Sequence, residues 1–163
     1  MGVRNCSDIG VNAQYIVKRL MANQNLLKLL YYTDKDPLSH EDLTQEQIQN
    51  EIFEKLIKIV PRVGPKETAN SVVVVRIARG CGLVTNSEFK NVTIGIETFV
   101  PMTQWIIKGT NLRPFAIMGE IQKSLNDKKI EGLGKLTGGD FDLNFLTEEI
   151  SDYEQTFMLT SYD

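Results

Sequence analysis

Histidine is almost missing from this chain: His40 is the only one in 163 residues. Cysteine is scarce as well, and Cys6 and Cys81 stand far apart, outside any metal or redox spacing. These two shortages exclude the common zinc sites, because carboxylates would have to supply nearly every ligand. They also exclude a nucleophile relay unless it runs through His40, which lies in a polar loop beside Glu41 and Asp42 and reads as a solvated residue. The thiols are expected to be reduced and packed, as in a reducing cytoplasm, with a Cys6–Cys81 disulfide as the alternative. No apolar run reaches the roughly 18 residues of a membrane span. The opening MGVRNCSDIG has no apolar segment of the secretory kind. No membrane association is expected, and the two Asn-x-Ser/Thr tripeptides, at Asn5 and Asn91, are taken as chance matches. Positive charge is not in excess either. A formal net charge of −3 gives no general attraction to nucleic acid or anionic lipid.

What is present is an ordinary globular pattern, long enough for one domain with a substantial core. Ile9, Ala13, Ile16, Val17, Leu20, Met21, Leu27 and Leu30 recur at helical spacing and predict a first helix over Asp8–Tyr31, with Asp8 as its cap. The stretch from 31 to 44, with Pro37, reads as a loop. Thr44 and Gln47 form a capping box and Leu43 and Ile48 a hydrophobic staple, so a second helix is expected over Gln45–Ile59, stopping before Pro61. Residues 60–70 read as a turn region. SVVVVRIAR is a β-branched run and predicts a strand buried on both faces, broken by Gly80-Cys81-Gly82. FKNVTIGIETFVP predicts a second strand, ended by Pro101 because proline donates no ladder hydrogen bond. A third helix is expected from Pro114 to Asn126, then a strand over Asp140–Leu146, a turn over Thr147–Ser151, and a closing stripe DYEQTFMLTSYD. Strands arriving in consecutive pairs favour antiparallel hairpins. The expectation is a single α+β domain over 1–163: a mostly antiparallel sheet of about four strands with helices packed on one side, and the 31–44 loop and 60–70 turn region as insertions.

Two motifs invite chemistry and then fail its requirements. GLGKLTGG (132–139) has Leu136 where a phosphate loop needs a hydroxyl after the lysine, so a loop feeding a strand is expected. DFDLN alternates like a calcium loop, but Phe145 stands where glycine is required, and Phe141, Leu143 and Phe145 against Asp140, Asp142 and Asn144 make two faces of one strand. Trp105 reads as a core residue or as an interface anchor. No active site assembles from these residues, so no catalytic residue, cofactor or metal is expected.

The second half carries a resemblance. Ile94, Ile96, Phe99 and Pro101 on one strand, the helix from Pro114, and a closing strand with Leu159, Thr160, Tyr162 and Asp163 are similar to the tail terminator proteins of long-tailed bacteriophages, the lambda type among them. The resemblance covers residues 90–163, and residues 1–90 by element order. The stretch from Tyr31 to Asn70 is longer than in a compact terminator, which brings in other neck or head–tail joining proteins. The resemblance implies a virion protein, assembled in the host cytoplasm, that forms a homo-hexameric ring at the head-proximal end of the tail. Such a ring stops growth of the tail-tube protein and meets the head connector or head-completion protein. DNA passes through its lumen without sequence-specific binding. It implies no enzyme activity. Trp105, Ile96, Phe99 and Tyr162 are the interface candidates. The alternatives are a small metal-dependent hydrolase or nuclease using Asp140, Asp142 and Glu148 or Glu149, and an adaptor working through Trp105 and the loop around Pro37.

Overall fold

The computed structural model describes residues 6–59, 69–82, 89–109, 111–130 and 134–160. The first helical stretch is two helices rather than one: α1 (Cys6–Met21) and α2 (Gln24–Tyr31). The helix is already formed at Cys6, so Asp8 lies inside it rather than capping it. The break comes at Asn23, whose side chain accepts the Leu26 N–H at 3.1 Å and so caps α2. Its amide also donates to the Ser124 hydroxyl at 2.9 Å, on the later helix α4 (Arg113–Leu125). Asparagine offers the backbone this alternative to a continuous helix, which is why it ends one helix and starts the next. The apolar stripes of both helices, including Ile16, Leu20, Leu26, Leu27 and Leu30, are fully buried. Each such side chain contributes about 1.5–3 kcal/mol on leaving water.

The capping box forms as expected. Thr44 Oγ1 accepts the Gln47 N–H at 3.2 Å, and Gln47 Oε1 accepts the Thr44 N–H at 2.9 Å. Leu43 and Ile48, the two staple residues, are buried in the same core. The helix is shorter than its apolar spacing suggests. α3 (Gln45–Gln47) passes into a single π turn, Ile48–Ile52, and Glu54 then takes φ +60. Ile57–Lys58 becomes a short strand, β1, parallel to the next one. Ile57-Lys58-Ile59 fits period two as well as period 3.6, and pairing settles the choice: the Leu56 carbonyl accepts the Val73 N–H at 2.8 Å.

Four long strands follow: β2 (Val72–Gly82), β3 (Phe89–Pro101), β5 (Gly134–Leu146) and β6 (Ile150–Thr160). A two-residue strand, β4 (Lys129–Ile130), precedes β5. The sheet order is β1-β2-β3-β6-β5-β4, antiparallel except at β1–β2. The closing stripe of the chain is therefore an inner strand, paired with β3 from Asn91↔Thr160 to Pro101↔Ile150. Two boundaries differ from expectation. β2 runs through Gly80–Gly82 with a register shift instead of breaking there. Gly134–Gly139 belongs to β5 instead of to a loop, with φ +100, +132 and +102 at Gly134, Gly138 and Gly139. A side chain at Gly138 would also meet the Thr156 carbonyl at 2.6 Å, so the strand passes its neighbour there only as glycine.

The architecture is α+β, with the helices on one face of the sheet. Val73 and Val75, Ile94 and Ile96, and Phe157 and Leu159 face the helices and form one core with them. On the opposite face Val72, Val74 and Phe99 make a smaller cluster with Leu56 and Ile150. The four valines Val72–Val75 are thus buried on both faces, as their unbroken run implies.

One buried cation ties the helical layer together. Arg113 is fully buried and donates to four carbonyls: Leu29 at 2.7 Å, Tyr32 and Gln104 at 2.8 Å, and Asp34. Burial lowers its pKa. The four carbonyl dipoles supply the solvation that water cannot.

Candidate functional site

The ladder register defines the surface opposite the helices as rows that cross the sheet. One row is Val74–Glu97–Glu154–Asp142, which sets three carboxylates on adjacent strands. The next is Val72–Phe99–Asp152–Phe145, in which Asp152 lies between two aromatic rings 6.1 Å apart. On the other side runs Arg76–Gly95–Thr156–Asp140. Like charges directly opposite one another cost stability, so a row of three acids needs compensation. Arg76 provides it, reaching Glu154 at 2.6 Å and Glu97 at 3.6 Å. It does so across Gly95, where a Cβ would stand 2.3 Å from Glu154 Oε1.

One guanidinium does not balance this face. Burial, reinforced by Asp152 and Glu154, raises the Glu97 pKa above the usual carboxylate range, with Arg76 opposing. Burial likewise raises Asp152, and Glu154 adds to it, while Asn144 donating to Oδ2 at 3.0 Å and Arg76 pull the other way. Asp152 is 2% exposed, and its Oδ1 has no hydrogen-bond partner among the described residues.

The second feature is the edge formed by β5. β4 pairs only with Gly134 and Lys135, and beyond Gly138 no strand among the described residues covers the outer edge of β5. Along that edge Phe141 is 52% exposed, Leu143 50%, Phe145 43% and Leu146 53%. All four are large apolar side chains left partly in water along this strand. A bulge between Leu143 and Phe145 breaks the strict alternation expected of DFDLNFL. Phe141, Leu143 and Leu146 therefore lie on the helix side, and Phe145 turns to the acidic side beside Phe99. The hairpin is anchored at its root by aromatic rings: Phe115 packs 6.0 Å from Phe141 and 5.4 Å from Tyr153, and Tyr153 lies 6.4 Å from Trp105. Its turn is closed by Thr147, which exchanges hydrogen bonds with Ile150.

The residues singled out from the sequence disperse. Trp105 is half-buried against the core and donates its indole N–H to Ser151 at 2.9 Å. Ile96 is fully buried under the helices, and Phe99 is buried on the opposite face. Tyr162, the 60–68 part of the turn region, and the side chains of Cys6 and Cys81 lie outside the described set. Asp140 and Asp142 stand on the acidic face, whereas Glu148 and Glu149 are in the β5–β6 turn. Among the described residues no group of three or more His, Cys, Asp or Glu could hold a metal ion. His40 is not merely solvated: it stacks on Tyr32 at 3.9 Å and meets Asp34 Oδ2 at 2.7 Å. The Asp36 backbone N–H, with His40, lowers the Asp34 pKa. No helix among the described residues is long and apolar enough to cross a membrane.

A family model described as YomW matches residues 23–157. The chain belongs to the YomW family. The match runs from the Asn23 cap of α2 into β6, so it takes in the acidic rows and the β5–β6 hairpin and leaves out α1. YomW is a phage-associated family, and the chain is a phage-associated protein on that ground. No curated protein and no solved structure matches the chain.

Proposed function

We propose that this YomW-family chain is a structural virion protein that closes into a ring, hexameric in the tail-terminator pattern, at the head-proximal end of a phage tail. There it halts tube growth and joins the tail to the head connector, without catalysis. The observation that carries this reading is the β5 edge beyond Gly138, which no strand among the described residues covers, with Phe141, Leu143, Phe145 and Leu146 exposed along the strand. A free edge with apolar side chains is a site for joining another chain. The acidic rows on β3, β6 and β5 support placing that sheet face toward a lumen. Carboxylates repel the phosphate backbone, so DNA slides past without condensing onto the wall.

The test is negative-stain microscopy and light scattering of the purified chain, alone and with growing tail tubes. Closed rings with a central hole, and tubes that stop at a capped end, are the expected result. A chain that stays monomeric at high concentration and leaves tube growth unchanged would overturn the reading.

A further inference from the structure

A cleft of about 490 Å³ lies between α4 and the β5–β6 pair. Phe115, Met118, Gly119 and Gln122 line it from the helix, and Phe141 and Gln155 from the sheet. The rings of Phe115 and Phe141 meet edge to face at 6.0 Å and stay 38% and 52% exposed. Gly119 leaves space on the helix side, since a Cβ there would meet no heavy atom within 4 Å. Gln155 is the polar element. It is 2% exposed, and its Nε2 donates to the Met118 carbonyl at 3.1 Å. That bond leaves Oε1 as the spare arm of the carboxamide, buried and without a hydrogen-bond partner among the described residues. A buried acceptor that lacks a donor is uncommon in a folded protein. Asp140 is the one charged residue among the described residues lining the cleft, and the register puts its side chain on the other face of the sheet: Asp140 pairs with Thr156, whereas Phe141 pairs with Gln155.

We infer that this cleft takes a neutral aromatic ring bearing one hydroxyl or ring N–H, a phenol or an indole, with the ring against Phe115 and Phe141 and the donor on Gln155 Oε1. Such a ring has an apolar body and one polar tip that needs a partner when buried, and the cleft offers a match for each. No charged side chain turns into the cleft from the described residues, so a charged ligand would lose its water without compensation. The volume is in the range that encloses small ligands. The site is independent of the ring contact proposed above, and either can fail without the other.

Ligand-observed NMR titration of the full chain compares p-cresol with toluene, which has the same ring without the donor. The p-cresol is expected to bind saturably and about fivefold more tightly than toluene, the worth of one net hydrogen bond. Absence of p-cresol binding, or equal binding of the two, would overturn the inference without recourse to any variant. Gly119→Leu should fill the cleft and abolish p-cresol binding. Leucine suits a helix better than glycine and starts here in open space, so the variant should fold, which circular dichroism checks. A folded Gly119→Leu chain that binds p-cresol like the wild type would place the ligand elsewhere and also overturn the inference. Gln155→Met keeps the ring contacts and should bring p-cresol down to the affinity of toluene; a retained preference would remove Oε1 as the acceptor and sink the proposal. N-acetyltyrosinamide distinguishes the sources of such a ring. Entry on a par with p-cresol supports a side chain on a partner polypeptide, and exclusion beside p-cresol binding supports a free phenol.

Discussion

Asp152 shows how a single side chain records a conflict between packing and charge. It stands between Phe99 and Phe145 in its cross-strand row, and burial favours the protonated form of its carboxyl group. A carboxylate whose folded pKa lies above its unfolded one makes the native state bind more protons in the interval between the two. Stability therefore falls as pH climbs through that interval and is level above it. Asp152→Asn removes the charge and keeps an oxygen to accept from Asn144. Its melting temperature should exceed that of the wild type at pH 7, and the difference should shrink as pH approaches about 4, where ordinary carboxylates titrate. A lower melting temperature at pH 7 would show that the charge itself is needed. Arg113 poses the opposite case, a buried cation with every guanidinium nitrogen hydrogen-bonded. Replacing it with Met strands the carbonyls of Leu29, Tyr32, Asp34 and Gln104, and urea titration should show a loss of about 3 kcal/mol or more. Arg113→Lys should recover part of this loss, because an ammonium keeps the charge without the planar fork.

At the scale of elements, the features legible in the sequence are those with local causes. The capping box at Thr44 and Gln47, the stop at Pro101 and the start beside Pro114 each depend on neighbours a few residues away, and all three hold. The break at Asn23 also has a local cause, the capping preference of asparagine, but the apolar period runs straight across it and hides it. Other features depend on distant partners. Ile57–Lys58 becomes a strand because Val73 lies alongside. Phe145 changes face because β5 has one residue more than β6 opposite it. Arg113 shows no pattern at all, since its partners are backbone carbonyls from two separate stretches of chain, 29–34 and Gln104. The carboxylate row Glu97–Glu154–Asp142 is likewise invisible until the register of three strands is known.

At the scale of the molecule, the sheet separates two jobs. One face takes the helices and holds the fold together, and the other presents acid. If that acid lets a polyanion pass, reversing it should make the polyanion bind. Asp140→Lys with Asp142→Lys, both exposed, should confer duplex DNA binding at about 50 mM salt that weakens steeply by about 200 mM, as counterion release requires. The wild type should show none in a gel-shift or anisotropy assay, and equal binding by both proteins would remove the acidic face from the account.

The bare flank of β5 also bears on the subunit before it is used. A strand whose edge no described strand covers, with half-exposed phenylalanines, invites identical copies to stack without limit, the first step toward a fibre. Asp140, Asp142, Glu148 and Glu149 sit among those side chains as gatekeepers. Two hairpins laid flank to flank would bring acid against acid, and that repulsion opposes runaway stacking.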